Sequence, residues 1–170
     1  MRKVAIIGQG PGAEYAPKDW ERWGLPWAKD YSLDRYFEPH ENWETMGAYE
    51  DIPSDVLNDC GAPVMLINVH NAVPKSERYP IEAVIEEVGN YLECSISFAL
   101  AYAILKRIPT IGLYGVSGDD GYSSQRPNIE YLIGYARGLG IAVHVDGASK
   151  LLTSEFKAGR YGVGKSEKKV

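Results

Sequence analysis

Val4-Ala5-Ile6-Ile7 runs straight into Gly8-Gln9-Gly10-Pro11-Gly12-Ala13, and no other stretch restricts the fold of this chain as much. A short, fully apolar run reads as a strand buried on both faces, as in parallel sheets. Gly8, Gly10 and Gly12 then let the main chain turn sharply and let a ligand approach it without meeting a Cβ atom. Nucleotide-binding α/β folds open with such a strand and turn, their peptide N–H groups exposed towards phosphate. Gly8, Gly10 and Ala13 also fit the G-x-G-x-x-G/A dinucleotide spacing. Against a dinucleotide site, Pro11 supplies no N–H, and Pro17, Gly24 and Pro26 interrupt the helix that should follow. The turn Gly8, Gln9, Gly10, Pro11, Gly12 is therefore expected to hold nucleotide phosphates. The alternative is a tight turn without a ligand.

Further apolar runs repeat the pattern. Leu33–Phe37 reads as a strand ending in Glu38-Pro39-His40, and Pro63–Asn68 as another, with Val69-His70-Asn71 beyond it. Thr110–Val116 is a glycine-bearing strand opening into Ser117-Gly118-Asp119-Asp120-Gly121-Tyr122, and Ile141–Val145 is the last. A short strand is expected near Trp23–Pro26, after a helical turn around Pro17–Arg22. Helices are expected at Glu41–Tyr49, Ile81–Val88, Glu93–Lys106 and Asn128–Gly138, with a short one after Ser149. In Glu93–Lys106, residues Cys94, Phe98, Ala101 and Leu105 recur at helical spacing on one face. Ala72–Pro80, with two prolines and mixed charge, reads as a loop. Alternating strands, turns and helices predict a single-domain, Rossmann-like α/β three-layer sandwich over residues 1–156, with a mostly parallel sheet of five or six strands.

In a parallel sheet the loops beyond the strands' carboxyl ends line the usual ligand crevice. Glu38 and His40, two apart on an extended chain, project to one side. They are the candidate catalytic pair, His40 as general acid/base and Glu38 as its orienting or metal-binding companion. Their alternative is a surface glutamate and a helix-capping histidine. Asn68 and Gly115 border the same crevice. Ser95 and Ser97, in the first turn of their helix, can hold a phosphate or simply cap the helix. Asp119 and its neighbour can hold a divalent metal or ribose hydroxyls, or form a plain turn. Arg126, placed before its helix, suits a phosphate or carboxylate. Among Trp20, Trp23 and Trp27, most are expected to pack an irregular connection, with base stacking as the other use.

Charge narrows the partners. The net charge is −5, yet residues 157–170, expected to form a flexible tail, hold five Lys/Arg against one Glu, so the tail is +4 and the body −9. So acidic a body is a poor general nucleic-acid binder. The tail reads as a solvated end, or as a contact for a neighbouring subunit or acidic partner. The apolar runs are too short to span a bilayer and no secretory leader is read. Cys60 and Cys94 fit no metal spacing, which suggests a cytoplasmic, reducing home.

The opening Arg2–Gly12 resembles the first strand and G-x-G-P-S turn of certain bacterial sialyltransferases and the related archaeal 6-hydroxymethylpterin diphosphokinases. In those families the turn lies against nucleotide phosphates. Cys94–Ile104 is similar to their S/T-S/G helix, and Ile111–Ser117 to their following I-x-L-x-G-x-D strand, although the acid here, Asp119, falls two places late. Small phage proteins resemble the chain more closely, sharing F-E-x-H at Phe37–His40 and Q-R-P-x-x-E-Y at Gln125–Tyr131. The resemblance covers residues 1–12 and 91–150. It implies a Rossmann-like core that recognises a nucleotide or nucleotide sugar through Gly8–Gly12 and Ser95. Together with the Glu-His pair it predicts a nucleotide-dependent transferase of a sugar or phosphoryl-type group. A non-catalytic nucleotide sensor or sequestering protein is the alternative.

Overall fold

The computed structural model describes residues 1–40, 54–118 and 124–153. Seven strands form one sheet: β1 (Lys3–Ile7), β2 (Glu21–Gly24), β3 (Arg35–Glu38), β4 (Val64–Leu66), β5 (Ser76–Arg78), β6 (Thr110–Tyr114) and β7 (Ala142–Val145). Their order is β5-β4-β3-β2-β1-β6-β7, and every neighbouring pair is parallel. The helices are α1 (Ser54–Asp59), α2 (Ile81–Val88), α3 (Ser95–Leu105) and α4 (Arg126–Gly138), with 3-10 turns at Ala13–Tyr15 and Pro26–Tyr31.

Alternation along the strands sorts the core into two halves. Val4, Ile6, Trp23, Phe37, Met65, Ile111, Leu113 and Val143 face α2, α3 and α4. Ala5, Ile7, Tyr36, Val64 and Leu66 face the opposite layer, closed by Ala13, Ala28, Leu57 and Cys60. This gives the expected three layers. The first half centres on an aromatic cluster in which Trp23 lies 5.5 Å from both Phe37 and Tyr102, and Tyr79 lies 5.2 Å from Phe98. The buried Tyr79 hydroxyl donates to the Phe98 carbonyl at 2.9 Å, so the polar atom enters the core with a partner.

The sheet exceeds the expected five or six strands and is parallel throughout. Residues 72–80, expected as a loop, contain β5, whose Ser-Glu-Arg sequence carries no apolar signal. The expected turn of helix at 17–22 is instead a non-helical turn followed by β2. Turns also replace the expected helix over the described part of residues 149–153. Burial of α3 extends well beyond one face: Ile96, Ala99, Leu100, Ala101, Ala103 and Ile104 are all buried, because the helix is wedged between the sheet and its neighbours α2 and α4. The helix expected at 41–49 and the tail from 157 lie outside the described residues.

Within α4, Gly134 is exposed and a Cβ there would meet nothing within 4 Å. Alanine removes backbone freedom from the unfolded chain without a clash. Gly134→Ala is therefore expected to stabilise the fold by about 0.5–1 kcal/mol. A urea midpoint that stays put or falls would contradict this.

Candidate functional site

The chain runs from β1 outward to β5 on one side, then returns to place β6 on the other side of β1. The carboxyl ends of β1 and β6 thus form a topological switch point, the position where open α/β sheets bind ligands. Here the glycine turn meets the β6 loop closely. Gly8 N–H donates to the Tyr114 carbonyl and Gly10 N–H to the Gly115 carbonyl, both at 2.8 Å. A Cβ on Gly8 would sit 2.4 Å from the Gly115 oxygen, so glycine is required there by the approach of the two backbones.

Exposed amides are therefore not what most of this turn offers. Gly12 N–H donates to the Glu14 carboxylate at 3.1 Å, and Ala13 N–H bonds to Gly10. Pro11 has no N–H. Only Gln9 keeps an amide with no acceptor among the described residues. Asp146, at the end of β7, closes over Gly12: a Cβ on that residue, whose φ is +95°, would lie 2.0 Å from the aspartate Oδ2. Glu14 and Asp146 thus make the Gly12 end electronegative. Burial and the Asp146 charge together push the neighbouring Tyr114 hydroxyl up. Neither acid stands out in the sequence, although Glu14 follows the turn at a helix-capping distance.

Two strands away, β3 ends in Glu38, which is only 2% exposed. Its carboxylate accepts the His40 backbone N–H at 3.2 Å and is paired with Nδ1 of the His40 ring. The imidazole itself is 46% exposed. In the neutral ring, with Nδ1 held by the Glu38 carboxylate, Nε2 is the remaining acceptor. The hydrogen bond and charge of Glu38 raise the His40 pKa above its ordinary 6.5, while partial burial opposes the shift.

The Glu38–imidazolium pairing stabilises the fold fully below pH 6.5, the unfolded value, and is lost as pH rises through the elevated folded value. An NMR titration of His40 should therefore give a midpoint above 6.5, and Glu38→Gln should lower it. An unchanged midpoint in that variant would show that the carboxylate does not control the ring.

The other candidates divide. Asn68 is exposed just beyond β4, on the same edge of the sheet. Ser95 is half-buried at the start of α3, while it is the buried Ser97 that caps the helix, its hydroxyl accepting the Cys94 N–H at 3.1 Å. Burial pushes the Cys94 thiol up, away from nucleophilic use. Gly115 adopts φ +64°, and its carbonyl holds Gly10. Arg126 does not precede α4 but begins it, with Pro127 next, where a missing N–H costs no helical bond. Its guanidinium bonds to Glu130 at 2.8 Å and to the Thr153 carbonyl, fastening the segment after β7 to the helix. Asp119 lies outside the described residues. Among the described residues no three His, Cys, Asp or Glu side chains are placed to hold a metal, and no helix is long and apolar enough to cross a membrane.

The chain matches no family model, no curated protein and no solved structure.

Proposed function

We propose that this protein is a nucleotide-dependent transferase of a sugar or phosphoryl-type group, with Glu38 and His40 as its acid–base pair. The observation that carries the reading is the buried Glu38 carboxylate holding a half-exposed imidazole at the carboxyl edge of a parallel sheet. A buried orienting acid and an accessible ring nitrogen are what general-base catalysis requires. The switch point beside the glycine turn supports a nucleotide as donor. Its phosphates run past Gln9, on the β1–β3 side. They avoid Gly12, where Glu14 and Asp146 would repel them.

In the reaction, Nε2 of His40 takes the proton of the acceptor hydroxyl as that oxygen bonds to the transferred carbon or phosphorus. The bond to the nucleotide's leaving phosphate oxygen breaks, and the leaving group departs with the electron pair. Glu38 stays ionised and stabilises the imidazolium, which then releases its proton to the leaving group or to water.

The test is incubation with a panel of nucleoside triphosphates and nucleotide sugars, following release of the nucleotide product by mass spectrometry and binding by thermal shift. At least one donor should be turned over. Binding without turnover would instead favour a sequestering or sensing role. Neither binding nor turnover across the panel would remove the reading altogether.

A further inference from the structure

We infer that Trp27 is the platform on which the base of the nucleotide stacks. The inference rests on the transferase reading and specifies how that site recognises its donor. Of the three tryptophans close together after the opening turn, two are already employed. Trp23 is 0% exposed and sits in the aromatic cluster under the sheet. Trp20 is half-buried, with Lys3 Nζ 5.3 Å from its ring centroid and His144 6.4 Å away, edge to face. Trp27 is 47% exposed and pairs with no ring or cation among the described residues.

Its backbone position is fixed on both sides. Leu25 packs into the half of the core that faces α3, whereas Ala28, 2% exposed, belongs to the opposite half. The two residues between them, Pro26 and Trp27, must therefore cross the rim of the sheet at the end of β2. The crossing is tightened by the Ala28 N–H bond to the Leu25 carbonyl at 2.9 Å and by the fixed φ of Pro26.

β2 lies between β1, which carries the glycine turn, and β3, which carries Glu38 and His40. Strands sit about 4.8 Å apart, so the three carboxyl ends span roughly 10 Å of one rim. Trp27 thus occupies the middle of the row that begins at Gln9 and ends at His40. A solvent-exposed indole on a hydrogen-bonded turn presents a large flat surface. Nucleobases stack on such faces whatever their hydrogen-bonding edges.

The experiment measures binding of ATP, GTP, CTP and UTP, with ribose 5-phosphate as the base-free probe, to wild type, Trp27→Ala and Trp27→Phe. Thermal melts confirm that both variants fold, as expected for an exposed residue. Wild type should bind at least one triphosphate more tightly than ribose 5-phosphate. Trp27→Ala should weaken that triphosphate by roughly 5- to 150-fold, the range of one base–aromatic stack. Trp27→Phe should keep most of the affinity, and ribose 5-phosphate should bind all three proteins alike. If the preferred triphosphate binds Trp27→Ala as well as wild type, the stacking role is refuted while the transferase reading stands. Equal loss of ribose 5-phosphate also refutes stacking. Failure of every triphosphate to bind wild type refutes the stacking role as well, and the nucleotide sugars of the donor panel then decide the transferase reading.

Discussion

Replacing His40 by alanine is expected to lower turnover by roughly 100- to 10,000-fold, the contribution of a positioned general base, while leaving donor affinity almost unchanged. The expectation follows from where the imidazole stands. Its ring is fixed through Nδ1 by a carboxylate with almost no solvent contact, so its remaining nitrogen is held ready without being buried. Glu38→Gln should reduce the rate less than His40→Ala does. The amide can still accept or donate at Nδ1, but it cannot hold the tautomer or stabilise the imidazolium. The base must be neutral to act. Activity should thus rise as pH passes upward through the elevated His40 pKa, and that limb should move to lower pH in the Glu38→Gln variant. A His40→Ala protein with wild-type turnover would remove the pair from the chemistry and leave it a structural contact.

Gly8→Ala is the substitution with the largest expected effect on stability, a loss of about 3 kcal/mol or more. The new Cβ would stand 2.4 Å from the Gly115 oxygen and 3.0 Å from its carbon. Both are backbone atoms of a turn with no rotamer to change. Relief requires β1 to part from β6, which breaks the Gly8–Tyr114 and Gly10–Gly115 hydrogen bonds. Gly61→Ala is the matched control, because a Cβ at that glycine meets nothing within 4 Å, and its effect should stay within about 0.5 kcal/mol. Urea midpoints for the two variants decide the matter. If they coincide, the junction of β1 and β6 is more yielding than its geometry implies.

Much of the architecture was legible because apolar, branched runs declare parallel strands. Val4–Ile7, Val64–Leu66 and Thr110–Tyr114 could hardly be anything else, and the amphipathic run Ile81–Val88 became α2 with the same bounds. What stayed hidden has a common cause. The edge strand Ser76–Arg78 is polar and three residues long, so its pairing with β4 comes from tertiary placement and leaves no periodic mark. The short strand expected near Trp23–Pro26 exists, but begins earlier, at Glu21, and gives way at Pro26 to a 3-10 turn.

At the candidate site, the spacing of Glu38 and His40 forecast their contact, since alternate residues of an extended chain share a side. The fate of the glycine turn was not legible. Which strand would lie beside it, and whose carbonyls would take its amides, depends on β6, about a hundred residues further on. The same holds for Arg126, whose partners Glu130 and Thr153 come together only once the segment after β7 folds back.

That long separation has a consequence for how the protein is made. As the chain leaves the ribosome, Val4–Ile7 can align with Glu21–Gly24 almost at once, but its other border stays open until Thr110–Tyr114 has been synthesised. Through most of translation the nascent protein therefore carries an unprotected, sticky margin in the interior of its future sheet. Such a margin invites association with other chains and slows completion of the fold. Arrival of β6 ends that exposure and, in the same event, shapes the glycine turn at the rim.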